Sequence, residues 1–490
     1  MGATSEGWAT SAIETPGTGV VSAGRGGAWL VRADDPMAAY LNPAALVTQP
    51  HGVSAGVQLM IRSHCYDRLD VTGARPSPGG GLEPAPGEVC ADIPPFPNPH
   101  LAASFRLHKR FALGLAVFGP HATGSAEWPA TLTYPEGSFG DTEHPAPQRY
   151  LLLEADNIMM FPTLSASFAA TKDLSFGAGF VWGIAAIDFK NLTESTSSLR
   201  GDPQPDDFTN DIAARVTGLD AFVPGFVLSA LWYPQKRIGL AGWFRWSDAV
   251  RAPLDMEAHA LYYEGSGQVE ESPTVTDADD SGSLKMPIPM EAKIGVRYRH
   301  PRRGAKSQKW ANRHRGWTRD PMSQDLFDVE LNLTWANNSA VDVIEVRFDD
   351  NIEIAGTPGF APVNGDIPHE WRDTLGVRLG GDYYVIPDLL ALRAGGFFES
   401  SASNDEYLNI DFHVAERIGV GGGLTVRLGP VDLSAAYQHT FFGTIDNGGR
   451  GLVRGISGDR TTGERTRQPV NGGSSTSSLN EVALGAGVHF

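Results

Sequence analysis

Residues 325–336 read DLFDVELNLTWA, and the order of these side chains decides how the chain folds. Phe327, Val329, Leu331, Leu333 and Trp335 fall on one parity; Asp328, Glu330, Asn332 and Thr334 fall on the other. Side chains alternate across a β-strand, so one face is apolar throughout and the other carries two carboxylates and two further polar groups. A soluble sandwich also alternates, but its strands are short and bury Leu and Val between sheets. A strand tilted across a bilayer needs about 9–11 residues. This segment reaches that length, so the pattern predicts a sheet with its apolar face toward lipid and its polar face inward.

The same pattern recurs along the chain. At the C-terminus, NEVALGAGVHF (480–490) places Val482, Leu484, Ala486, Val488 and Phe490 opposite Glu481, Gly485 and His489. In RIGVGGGLTVRLG (417–429), Ile418, Val420, Leu424 and Val426 oppose Arg417, Thr425 and Arg427. Short turns at 107–111, 170–174, 233–238, 385–390 and 428–433 alternate with long polar stretches at 66–97, 121–156, 190–219, 249–284, 349–370, 403–415 and 444–477. That rhythm is the one expected of an outer-membrane barrel, with turns at one end and long loops at the other. Fourteen strands can be placed, from 51–64, 98–108 and 110–120 through to 479–490. The fold class is therefore all-β: a 14-stranded antiparallel transmembrane β-barrel over 51–490, preceded by an irregular Gly/Ala-rich segment over 1–50 that does not alternate. Closing the barrel pairs the last strand with the first and leaves no bare edge in a medium without water.

Composition excludes several function classes. No run approaches 18 consecutive apolar residues, which rules out a helical membrane span. A net charge of −18 leaves nothing like the broad basic surface that nucleic acid requires. The one basic run, 300–319 (HPRRGAKSQKWANRHRGWTR), falls where a short turn is due and reads as a solvated turn. Gly419–Gly423 resembles a phosphate loop but sits inside an alternating strand with no helix after it. Asp277–Gly282 begins like a calcium loop, yet the twelfth position is Ile288 rather than Glu. No paired metal spacing and no nucleophile signature occurs, so no metal, cofactor or catalytic role is expected.

Cys65 and Cys90 share one Pro/Gly-rich segment. They are either reduced thiols or one disulfide in an oxidising compartment, and an external-loop position favours the disulfide. The N-terminus lacks a cationic region followed by an apolar one. That leaves cytoplasmic residence or a leader already removed, and the strand pattern favours the second.

The N-terminal segment carries a resemblance. Ser22–Ala28 (SAGRGGA), Ala33–Pro36 (ADDP) and Tyr40–Leu46 (YLNPAAL) resemble the hatch of FadL/TodX-type outer-membrane transporters of hydrophobic compounds, with Asn42-Pro43-Ala44 the most specific element. AVFGPHATGSAEWP (116–129) is similar to the third strand and following loop of that family. The resemblance implies passive transport of long-chain fatty acids or aromatic and alkyl hydrocarbons in the bacterial outer membrane. Its steps are capture at external loops, binding near a hatch that plugs the barrel, and lateral release through a gap in the wall. It also implies a monomer surrounded by outer-membrane lipid and lipopolysaccharide, with the terminal Phe490 read by the barrel-assembly machinery.

Gly119 and Pro120 are the candidates for the lateral gap, because Pro has no N–H to continue a ladder; alternatively they only end the strand at the rim. Arg25, Asp34 and Asp35 are expected to lodge the hatch among lumen-facing Arg297, Arg378, Arg393, Arg427, Asp328 and Glu330. Trp29, Phe118 and Trp128 are candidate apolar contacts for substrate, and Arg378 and Arg393 candidate partners for its carboxylate. Internal ion pairs bracing the hatch are the alternative role for these arginines. An aqueous porin and a surface receptor or adhesin are the rival functions, and the hatch argues against an open porin.

Overall fold

The computed structural model describes residues 14, 17–76, 87–119, 124–134, 142–194, 211–263, 269–271, 275–276, 282–303, 320–348, 365–453 and 469–490. The chain forms a closed antiparallel barrel of fourteen strands. These are β1 (Gly52–Arg68), β2 (Phe96–His108), β3 (Phe111–Val117, resumed at Gly124–Glu127), and β4 (Thr163–Ala169, preceded by Glu154–Met160). There follow β5 (Leu174–Glu194), β6 (Asp211–Gln235), β7 (Ile238–Ser247, extended by Val250–Tyr263), and β8 (Glu291–Pro301, preceded by Gly282–Met286). The wall is completed by β9 (Asp325–Ala336, extended by Val343–Phe348), β10 (Thr374–Ile386), β11 (Leu390–Glu399), β12 (Arg417–Leu428), β13 (Val431–Phe442) and β14 (Gly473–His489). β14 closes on β1 in continuous register from Gly52↔His489 to Arg68↔Gly473.

The parity of the 325–336 stretch is realised in β9. Val329 and Leu331 are exposed on the outside, whereas Asp328, Glu330, Asn332 and Thr334 are buried in the lumen. The exposed large hydrophobics lie on the outer parity of every strand in turn, from Val53 on β1 to Val488 on β14. Such a surface is stable only against hydrocarbon.

Several strands overrun their expected ends. β1 reaches Arg68, β5 reaches Glu194, and Val250–Tyr263 is a strand where a loop was expected. Above the hydrocarbon both faces of a ribbon meet water, so the apolar alternation that marks a spanning strand fades there. The expected extents of the basic turn and of Asp277–Asp280 fall largely on 304–319 and 277–281, outside the described residues.

Residues 17–50 fill the lumen near the short-turn end as two short helices, α1 (Val20–Ala23) and α2 (Ala38–Leu41), and a 3-10 turn, Pro43–Thr48. Room for them comes from lumen-facing glycines. A Cβ at Gly380 or Gly395 would lie 2.3 or 2.1 Å from the Arg25 carbonyl oxygen, and one at Gly177 would lie 2.2 Å from the Ala44 nitrogen. The Gly-rich run of β12 has the same use, with Gly421 facing the Ala23 carbonyl.

Candidate functional site

The hatch is held first by charge. Arg25 is fully buried; its Nη1 donates to Asp328 on β9 (2.8 Å) and Asp382 on β10 (2.6 Å), and its Nη2 lies 3.7 Å from Glu330. Arg32 adds Asp382 (2.5 Å) and its neighbour Asp34 (3.0 Å). The Glu330 carboxylate also accepts the backbone N–H groups of Val31 (2.8 Å) and Arg32 (3.0 Å). Buried charges persist only when paired and hydrogen-bonded on all sides, so these contacts define one seat for the segment. Asp35 lies at the edge of this seat, where its Oδ1 accepts the Met37 N–H (2.7 Å). Burial, with the Asp34 charge beside it, pushes the Asp35 carboxyl up to about 7, leaving it half protonated at neutral pH.

The Asn42-Pro43-Ala44 turn is held by a second set of contacts. Asn42 Nδ2 donates to the Leu30 carbonyl (2.7 Å) and ties two stretches of the hatch together. Ala44 donates its N–H to Ser229 Oγ (2.8 Å), and its carbonyl accepts from Ser175 (2.7 Å) and Ser167 (3.2 Å). Ser165 donates to the Ala39 carbonyl. These lumen serines look like ordinary small residues in sequence and only their place in the barrel reveals the contact. Asn42→Ala should weaken the hatch fold by about 1–3 kcal/mol by leaving the buried Leu30 carbonyl without its donor. Protease digestion of folded, detergent-purified protein reads this as faster loss of the N-terminal segment, with the barrel still migrating as a folded species without heating.

Next to the hatch the ladder between the described residues of β2 and β3 ends at Leu101↔Val117. β2 and β3 pair from His108↔Phe111 to Leu101↔Val117, and contact resumes at the Asp92↔Glu127 bridge. Between these points the described part of β3 has no ladder to β2; Asn98 Nδ2 instead donates to the Gly119 carbonyl (2.7 Å). The sequence of β2 supplies half of the reason. Pro97 and Pro99 pair with Leu59 and Val57 of β1. Lacking N–H groups, they fit that ladder only at its non-hydrogen-bonded positions, so their nitrogens face β3 and offer it no donor. Phe118 points inward beside this interruption and packs on Tyr40 of α2 (ring centroids 4.5 Å). Phe161 and Trp243 complete the cluster at 6.4 and 5.8 Å from Tyr40, and Arg245 holds the Tyr40 hydroxyl at 2.8 Å. Gly119 therefore lies at the interruption; Pro120 is outside the described residues.

Two further spaces flank the hatch. At the short-turn end a cavity of about 540 Å³ opens between the hatch and the wall, lined by Asp34, Asp35 and Met37 from one side and Arg427 and Asp432 from the other. In the mouth at the long-loop end lies an apolar groove, walled by Leu152, Met159, Phe189, Leu284, Ile344 and Phe412. Around that mouth the loops are tied down. Cys65 and Cys90 form a disulfide beside the short Val89–Cys90 strand. His64 and His413 share Ser475 Oγ at 2.9 and 3.0 Å. Burial lowers His413 in its loop to about 4, so it is a neutral imidazole.

The other candidates from sequence are dispersed. Trp29 and Arg378 line a small lumenal cavity with Tyr40 and Lys293. Trp128 lies instead in the upper cluster, 5.2 Å from His64, apart from Phe118 and Trp29. Arg378 pairs with Glu399, which Arg417 also holds. Arg393 lies 3.4 Å from Asp382 and packs against Gly24. Arg427 bridges Asp320 (2.8 Å) and Asp432 (2.6 Å). The ring of Phe490 stacks on His51 at 5.9 Å, where the barrel closes.

The sequence matches the family model described as outer membrane protein transport protein (OMPP1/FadL/TodX) over residues 2–447. Among solved structures, a Pseudomonas aeruginosa FadL homologue is similar at a TM-score of 0.67 and 18% identity, covering 97% of this chain and 99% of that one. The P. putida toluene transporter TodX (TM-score 0.60, 14% identity) and the Ralstonia pickettii toluene transporter TbuX (0.56, 14%) each cover 97% of this chain and 99% of their own. No curated protein matches in sequence.

Proposed function

This chain belongs to the OMPP1/FadL/TodX family of outer-membrane transport proteins, and from that premise we propose that it carries small hydrophobic molecules, long-chain fatty acids or aromatic and alkyl hydrocarbons, passively across the outer membrane. The observation that carries this reading is the break between β2 and β3 beside the Phe118–Tyr40 aromatic cluster and above a seated hatch. A lipophile gains nothing from a water-filled pore, but it moves from an apolar pocket into lipid at little cost. The mouth groove captures it, the aromatic cluster receives it, and the donor-poor edge of β2 gives it a side exit. Each step runs down a gradient without nucleotide or cofactor.

In this reading Phe118, Tyr40 and Trp243 touch the substrate, while Arg25 and Arg393 hold the hatch. Cells lacking their own lipophile transporter and expressing this chain should accumulate labelled oleate or toluene faster than vector controls, while purified protein in planar bilayers conducts few ions. High conductance without lipophile uptake would instead support an aqueous porin.

A further inference from the structure

We infer that Asp411 in the wall of the mouth groove, with His369 behind it, is a polar-head recognition site, selecting an uncharged lipophile that carries a hydrogen-bond donor, a phenol or an alcohol, over a carboxylate. The inference rests on the reading above that the chain transports small hydrophobic molecules, and among these it favours hydroxyl-bearing ones over fatty acids.

The groove is walled by Phe189, Leu284, Met286, Ile344 and Phe412. Its polar side chains are three asparagines and one carboxylate, Asp411; among the described residues no Lys or Arg lines it. Asp411 is held through one of its oxygens. Its Oδ1 accepts the Phe412 N–H at 2.7 Å, and its Oδ2 lies 3.1 Å from His369 Nε2. His369 is itself buried to 1% exposure, clasped by Trp371 (4.8 Å between rings) and Phe412 (6.3 Å), whereas the Asp411 side chain keeps 15%. A carboxylate with one such bond has lone pairs left over, and Asp411 lies in the groove lining where a ligand can reach them. Arg62 is close enough to feel the Asp411 charge but does not line the groove.

An apolar groove with a carboxylate in its wall discriminates by charge. A ligand hydroxyl donates to it and gains a charge-assisted hydrogen bond. A ligand carboxylate meets a like charge where little water is left to screen it. A pure hydrocarbon is neither rewarded nor repelled and enters on buried area alone.

The test uses the full chain in lipid nanodiscs at pH 7.5, with calorimetry reading the binding of 4-hexylphenol, hexylbenzene and 4-hexylbenzoate. The phenol should bind at least about tenfold tighter than the benzoate, with hexylbenzene between them. Asp411→Asn should bring phenol and benzoate close together and leave hexylbenzene unchanged. The wild-type order alone decides the matter if that variant fails to fold. Benzoate binding as tightly as phenol, or an order unmoved by Asp411→Asn, overturns the recognition site while leaving transport standing. Binding of none of the three overturns both.

Discussion

Arg25→Ala is expected to release the hatch and turn a nearly silent barrel into a conducting one. The guanidinium lies between Asp328, Asp382 and Glu330, all buried. Removing one member of a buried ionic group leaves its partners uncompensated, typically at about 3–5 kcal/mol. Two wall neighbours soften the loss, since Arg393 lies 3.4 Å from Asp382 and Arg297 reaches Asp328 (2.7 Å). Glu330 gains no such relief from its contacts with Val31 and Arg32, because both donors belong to the hatch that is being released. Even the lower figure shifts the seated population by about two orders of magnitude. Planar-bilayer recording of the purified variant should show large, long-lived conductance steps that wild type lacks, and protease should remove the N-terminal segment quickly. Arg25→Lys should fall between, because an ammonium cannot contact three carboxylates in the plane of a guanidinium. Unchanged conductance in Arg25→Ala would mean that the serine contacts around Ala44 hold the hatch without it.

The barrel was legible in the sequence because lipid and lumen impose opposite demands on alternate residues; Leu331 beside Glu330 is uninterpretable in a soluble core and obvious in a barrel wall. The hatch was legible through the resemblance of Asn42-Pro43-Ala44 and its surroundings, and only its contacts needed coordinates. Which acid each arginine meets was not legible, since it depends on register. Arg378 and Glu399 lie 21 residues apart and come together only because β10 and β11 form a hairpin, with Gly376 opposite Glu399. The serines that hold Ala44 were invisible for the same reason. The interruption was read from one side only. Gly119-Pro120 drew attention on β3, whereas Pro97 fell at the end of the expected loop and Pro99 passed unremarked inside the expected strand 98–108. Their effect requires knowing that they pair with β1, which fixes the edge on which the donors are missing.

That two-sided break sets the second prediction. If substrate leaves between β2 and β3, tying the strands together where they part should stop transport without disturbing capture. Asn98 and Gly119 are already in contact, side chain to carbonyl at 2.7 Å. An Asn98→Cys/Gly119→Cys pair in a Cys65→Ser/Cys90→Ser background therefore puts one thiol on each side of the opening, and mass spectrometry of the oxidised protein identifies the linked fraction. Oxidised, this variant should bind lipophile in detergent as the reduced form does, because the groove and the Tyr40 cluster are untouched, yet uptake by cells should drop to the vector level. Reduction should restore it, and the background's lack of native cysteines ensures that no other bond is being broken. Restoring donors at Pro97 and Pro99 with valine should narrow the same exit more gently, since β3 must still turn away after Phe118, and uptake should fall while ion conductance stays low. Full uptake through the oxidised barrel would place the exit elsewhere. The short-turn cavity of about 540 Å³ between Asp35 and Arg427 is then the next route to test, since it lies beside the hatch at the opposite end from the mouth groove.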